Sequence, residues 1–248
     1  QISNIDKTDP TINAYSGAIL YTDPTFKSGV NSTYVYNNSG NGTVTVTRKA
    51  MSDNPEGSGY GLEIKTTGKA SPGHGGFSFR TQSAANKEFV TRIVAKIPKG
   101  YTLNWVTNEV GTGRVTEWLT SQAGTGAWQE YVFRVKCGAS GTFSTTNYFY
   151  LTGGSTATTA NPVTWQVGYA TVIDVTKWST SKNIISAGKD SQSGIVAYGI
   201  NQSSTTQPTW TSVTTTANLG KITGAYTATG TYYVWMKDAV GNVSKKAV

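Results

Sequence analysis

The chemistry open to this chain is narrowed first by what it has only once. His74 is the single histidine and Cys137 the single cysteine in 248 residues. A serine-type triad would have to run through His74, because an imidazole relays the proton from the nucleophile. That residue stands in Ser71-Pro-Gly-His-Gly-Gly76, which reads as an exposed loop where a histidine caps a turn or touches a ligand. A Cys–His pair would need the fold to join distant residues, and one histidine with one cysteine cannot supply the usual zinc set. Glu109 and Glu117 flank a Gly-rich stretch. Two carboxylates held about 5 to 10 Å apart are what glycoside hydrolysis requires, but solvated carboxylates on a loop and a strand explain the pair as well. The expectation is a chain without catalysis.

Binding chemistry is better represented. Sugars offer flat apolar faces edged by hydroxyls, so a site for them combines aromatic rings with planar hydrogen-bonding groups. The segment Lys99 to Leu119 has all of these, with Tyr101 and Trp105 on one face of a strand and Trp118 beyond a loop at Asn108-Glu-Val-Gly-Thr-Gly-Arg114. Arg92 and Lys96 stand with Val90 and Val94 on one side of a strand whose other side, Phe89, Thr91, Ile93, Ala95 and Ile97, is mostly apolar. Cations are hard to bury, so their side is expected to face solvent or a concave binding surface. The candidate groove is therefore Arg92, Lys96, Trp105, Asn108, Arg114, Glu117 and Trp118, with His74 at its edge. Each ring is also what a sandwich core calls for.

The elements that must position these groups read as strands. Only 14% of the chain is charged, 11% is aromatic, 28 residues are Gly, and Thr, Ser, Val and Tyr run throughout, a composition suited to strands and tight turns. From Tyr15 to Thr176, period-2 segments alternate with Gly, Asn and Ser clusters. Thr43-Val-Thr-Val-Thr47 follows the hairpin dipeptide Asn41-Gly42. Trp128 to Val135 and Thr164 to Ile173 are two further strong strands, and no long amphipathic helix is spaced into the sequence. About seventy further residues carry strands at Ile184-Ile185, Gly194 to Ile200, Thr209 to Val213, Gly224 to Tyr226 and Thr231 to Lys237.

The net charge of +8 is scattered from Lys7 to Lys246 and not gathered on one element, so no nucleic-acid partner is expected. No run of about eighteen apolar residues is present, so no membrane insertion is expected, and no leader opens the chain, whose first residue is not read as a natural start. The lone cysteine excludes an internal disulfide.

Two resemblances add to this reading. Gly230-Thr-Tyr-Tyr-Val-Trp-Met-Lys-Asp-Ala-Val-Gly-Asn-Val-Ser244, with Lys189-Asp-Ser-Gln-Ser-Gly-Ile-Val-Ala-Tyr198 before it, resembles the bacterial immunoglobulin-like repeats of large surface proteins. The resemblance implies that the Tyr-x-Trp strand packs the core and that Lys237 to Asn242 turns into a last strand. It also implies that Asn4-Ile-Asp-Lys-Thr-Asp-Pro10 is the exit from a preceding copy. Residues 15–176 resemble the jelly-roll carbohydrate-binding modules attached to glycan-degrading enzymes and phage tail or fibre proteins, through Asp23-Pro-Thr-Phe26, Gly124-Thr-Gly-Ala-Trp-Gln-Glu-Tyr131 and Thr171-Val-Ile-Asp-Val-Thr176. Such modules often hold a structural calcium near their paired chain ends, which makes Asp23 and Asp174 candidates, with turn capping as the other reading.

The expected fold is all-β, a jelly-roll β-sandwich followed by an immunoglobulin-like β-sandwich. Residues 1–14 are expected to end a preceding module, 15–176 to form the carbohydrate-binding-like domain and 177–248 the second. The expected function is glycan or polysaccharide binding by a piece of a larger extracellular, cell-surface or virion-surface protein that also meets its neighbouring modules. The alternatives are a structural or adhesion component of a phage fibre, tail or head decoration, and, second, a glycoside hydrolase.

Overall fold

The protein is described from a computed structural model over residues 6–31, 33–37, 42–68, 73–107, 111–143, 146–177, 182–226 and 229–248. Among these residues the secondary structure is all strand. In chain order the first strands are β1 (Thr11–Ile19), β2 (Tyr34–Tyr36), β3 (Thr43–Ala50), β4 (Tyr60–Thr67), β5 (Gly73–Arg80), β6 (Glu88–Lys96), β7 (Tyr101–Thr107), β8 (Val115–Trp118) and β9 (Trp128–Lys136). They are followed by β10 (Thr146–Gly153), β11 (Val163–Asp174), β12 (Lys182–Lys189), β13 (Ile195–Asn201), β14 (Thr211–Thr216), β15 (Asn218–Tyr226), β16 (Tyr233–Asp238) and β17 (Val243–Ala247). Every pairing is antiparallel, as short strands joined by turns allow.

The larger sandwich faces β3-β4-β11-β6-β9-β8 against the four-stranded sheet β2-β5-β10-β7. Alternation fills the space between them. Phe89, Ile93 and Ala95 of β6, Tyr131 and Phe133 of β9 and Trp165 of β11 meet Phe77 and Phe79 of β5 and Phe149 and Leu151 of β10 in one core. Burying each of these large rings contributes about 2 to 3 kcal/mol, and edge-to-face contacts such as Phe77 with Phe79 (centroids 5.4 Å apart, planes at 87°) orient them.

The smaller sandwich packs β15-β12-β1 against β14-β13-β16-β17 around Ile12, Ile184, Ile195, Leu219, Tyr232, Val234 and Met236. Here the described part of residues 1–14 departs from expectation. Thr11 to Gly17 pair with Lys189 to Asn183 of β12, and Ile12 sits in the core, so this segment is a strand of the C-terminal module's own sheet. The strand that holds Tyr-x-Trp packs the core as expected, but through the residues that alternate with that pair. Strand alternation turns Val234 and Met236 inward and puts Tyr233 and Trp235 on the outer face.

β1 joins the two bodies. After Gly17 it leaves β12 and pairs with β11, Ala18 opposite Asp174 and Ile19 opposite Ile173. A side chain at Gly17 would collide with the Asp174 carbonyl at 2.4 Å, so the handover requires a residue without Cβ. Beside it, Val90, Val132 and Ile173 on the outer side of the large sheet bury themselves with Leu119 against Ile185 and Ala187 of β12.

Candidate functional site

The expected groove comes together only in part among the described residues, since Arg114 meets Trp105 and Trp118 packs on the same Phe133, while Arg92 and His74 are enclosed. Arg92 points to the outer side of the large sheet as its alternation requires, but that side is covered, and the residue is 1% exposed. The turn between β3 and β4 folds over it and delivers Glu56, while Glu130 comes from the neighbouring β9. The guanidinium donates to Glu130 at 2.9 Å and Glu56 at 2.8 Å and lies 4.4 Å from the Tyr169 ring centroid. Burial alone would lower its pKa, but these two carboxylates raise it, so a permanent cation is locked inside. Burial in turn pushes the Tyr169 phenol up to about 12. The cation that was expected to meet a ligand is a structural one.

Lys96 remains at the surface, held 2.9 Å from Asp53, whose other contact is the Trp128 indole N–H at 3.2 Å. Trp105 shares the Phe149 side of its sheet and turns inward onto Phe133 (4.7 Å between centroids), while its N–H donates to buried Asn147. Trp118 packs on Phe133 and Phe149. Arg114 is exposed with its guanidinium 5.5 Å from the Trp105 centroid, and Glu117 pairs with Arg134 at 3.7 Å. Asn108 and Glu109 lie outside the described residues, as do Asn41 and the Ser71-Pro72 start of the expected loop.

His74 is not in an exposed loop. Between Tyr150 and Thr152 of β10, the partner on β5 moves from Gly76 to Gly73, so β5 carries one extra residue there. This β-bulge re-aims the chain and turns His74 inward, fully buried against Tyr101, with Nε2 3.0 Å from the Gly153 carbonyl. Since a carbonyl only accepts, Nε2 carries the proton. Nδ1 has no partner among the described residues.

Asp23 and Asp174 do not share a site. Asp23 accepts from the backbone N–H groups of Lys27, Ser28 and Gly29 and shapes its own loop. Pro24 meets Ala170, whereas Asp174 lies four residues further along β11, roughly 13 Å away at strand rise. Asp174 caps Thr176 and pairs with Lys87 at 3.2 Å. Three other carboxylates do converge. Asp6, Asp190 and Asp238 are buried, with oxygens within 4.8 Å of one another. Oxygen donors in that number suit a hard cation such as calcium. They are also hydrogen-bonded within the protein, accepting from Thr8 and distant Ser193 at Asp6, from Gln192 at Asp190, and from Val240 and Asn242 at Asp238. The Thr8 bonds hold the Asp6 carboxyl at about 2.

What the sequence reading missed is the outward face of the β2-β5-β10-β7 sheet. Tyr34 and Tyr148 both stand opposite Ser78 of β5, and Tyr36 and Tyr150 both stand opposite Gly76, so four phenols project from one side in two rows. Tyr36 meets Tyr148 at 4.4 Å and Tyr150 at 5.6 Å between centroids. Burial, then Tyr150 and Tyr148, raise the Tyr36 pKa, which keeps a neutral phenol that can donate and accept. The next positions on the same side are one apolar and one polar. Val106 and Asn104 of β7 continue the rows, Asn104 donates to Thr152, and the Arg80 guanidinium lies 4.2 Å from the Tyr34 centroid. Tyr34 is 46% exposed and the other three are half-buried. The signal was present as two Tyr-x-Tyr segments, Tyr34-Val-Tyr36 and Tyr148-Phe-Tyr150, each alternating with apolar residues.

No family model matches this chain. No curated protein matches it either. Among solved structures, one with a detectable likeness is that of the Clostridium thermocellum endo-1,4-beta-D-xylanase 10B CBM22-1–GH10 modules complexed with xylohexaose. The likeness has a TM-score of 0.37 at 11% identity and covers 64% of this chain. The chain spans 28% of that structure's length. The functional reading therefore rests on the residues themselves.

Proposed function

We propose that this chain is a non-catalytic glycan-binding fragment of a larger extracellular, cell-surface or virion-surface protein. Its larger sandwich is read as jelly-roll-like and its smaller, seven-stranded one as immunoglobulin-like. The observation that carries the proposal is the tyrosine face, with four phenols in two rows on one sheet and Asn104, Thr152 and Arg80 beside them. Rings offer area to the apolar faces of sugars at little entropic cost, and the phenol, amide and guanidinium groups supply directed hydrogen bonds to hydroxyls. Absence of catalysis is part of the same proposal. It is supported by His74 being enclosed and by Glu117 being engaged with Arg134. A glycan array, followed by titration of the soluble polysaccharides it selects, tests this reading. Saturable binding to at least one glycan without its turnover is expected, and no binding at millimolar ligand counts against it.

A second reading, a rigid spacer or adhesion segment of a fibre, is favoured by one observation. The β1 strand and the apolar contact of Val90, Val132 and Ile173 with Ile185 and Ala187 join the two sandwiches. Stable assembly without any sugar affinity would favour that alternative.

A further inference from the structure

The C-terminal module carries surface charge that is mostly of one sign. From residue 177 to 248 the sequence has seven lysines, no arginine and two acidic residues, Asp190 and Asp238. Both aspartates are buried in the carboxylate cluster with Asp6. With residues 6–17, which complete the module's sheet and add Lys7, Asp6 and exposed Asp9, eight lysines stand against four aspartates, an excess of four that is half of the chain's +8 and is offset at the surface by Asp9 alone.

Part of that charge is built onto the outer face of the β14-β13-β16-β17 sheet. Alternation along β16 presents Tyr233, Trp235 and Lys237 on this side. Lys245 of β17 stands across from Trp235, with Nζ 5.1 Å from the ring centroid and donating to the Ser204 carbonyl. Lys237 places its Nζ 5.0 Å from the Trp210 centroid. The Trp235 ring is itself fixed by its N–H on Asn201 at 3.0 Å, whereas Lys246, opposite inward-facing Val234, belongs to the other side. Ammonium groups seated on rings are held in place, so less side-chain freedom is lost when an anion arrives.

We infer that this face docks a carboxylated polysaccharide chain. Charge complementarity calls for a polyanion. The Trp210 and Trp235 rings already carry ammonium groups, so the bases of a single strand lack open rings to stack on, and a sheet face offers no helix or ribbon to enter a duplex groove. The choice of polysaccharide over an acidic protein rests on the glycan reading of the tyrosine face. Lysines on the edge strand β17 also have a bland role, which is to discourage strand-to-strand aggregation.

The test is calorimetric titration of the full chain with polygalacturonate at low and physiological salt, with duplex DNA as a second arm. Polygalacturonate is expected to bind, more weakly as salt rises and more tightly than DNA. Combined Lys237→Gln and Lys245→Gln substitution is expected to lower affinity about tenfold, whereas the two Lys→Arg changes retain it. The same lysine substitutions are repeated in a Tyr148→Ala with Tyr150→Ala background, where any binding by the tyrosine face is removed, so that the two faces are read separately. No binding to polygalacturonate, equal affinity for DNA, or a glutamine variant that self-associates but binds like the parent would overturn the inference.

Discussion

The Tyr36 and Tyr150 rings meet edge to face across Gly76, their centroids 5.6 Å apart over the one position between them that has no side chain. A Cβ built at Gly76 would fall 1.8 Å from the Phe149 carbonyl oxygen. Gly76→Ala is therefore expected to cost about 1 to 3 kcal/mol by overpacking, measured as a shift of the urea midpoint. A variant as stable as the parent would show that the strands can part without loss.

The Arg92 network predicts a separation of stability from binding. Arg92→Met leaves Glu56 and Glu130 without their shared cation in a covered site, and removing one side of a buried pair costs about 3 kcal/mol. Denaturant unfolding should show that loss while glycan affinity of the folded variant stays at the parent level. Lost affinity with unchanged stability would return Arg92 to the binding site.

The contact between modules predicts coupled unfolding. Ile185 is fully buried among Val90, Val132 and Ile173, so thermal unfolding of the parent should be a single calorimetric transition. Ile185→Asn, which buries an amide among apolar groups at a cost of about 2 to 4 kcal/mol, should split it into two. Two transitions in the parent would mean that the sandwiches are independent.

Alkaline pH supplies a further check. Burial pushes the Tyr21 and Tyr169 phenols up to about 12 from an ordinary value of 10.0. Folding holds their neutral forms, so this stabilisation is intact below pH 10 and disappears as pH rises from 10 towards 12. Unfolding followed by circular dichroism should accompany tyrosinate absorbance in that window. Titration of all tyrosines near 10 with the fold intact would contradict the enclosure of these two.

Much of the architecture was legible in local pattern. Phe89, Thr91, Ile93 and Ala95 line one side of β6 and are all buried, because period 2 places them there. The opposite side was misread for a non-local reason. Val90, Arg92 and Val94 are covered as well, by β12 and by the turn that brings Glu56, and nothing within β6 encodes that arrival. His74 was read as a loop residue because Pro-Gly-His-Gly-Gly is made of turn residues, whereas it lies in β5 at a bulge that turns it inward, and bulges leave little trace in residue type. Trp105 was chosen as part of the aromatic segment Lys99 to Leu119, although its position opposite Phe149 sends it inward. Tyr148 and Tyr150, alternating with Phe149 and Leu151, already had a reason to point out.

The glycan reading stands or falls most directly on titration of the parent and of Tyr148→Ala and Tyr150→Ala with a polysaccharide that the array selects. Each substitution removes a ring contact worth about 0.5 to 1.5 kcal/mol, so affinity should fall up to about tenfold per site while the unfolding temperature stays near the parent's. Parent-like affinity in the double variant would place the binding surface elsewhere and contradict the account.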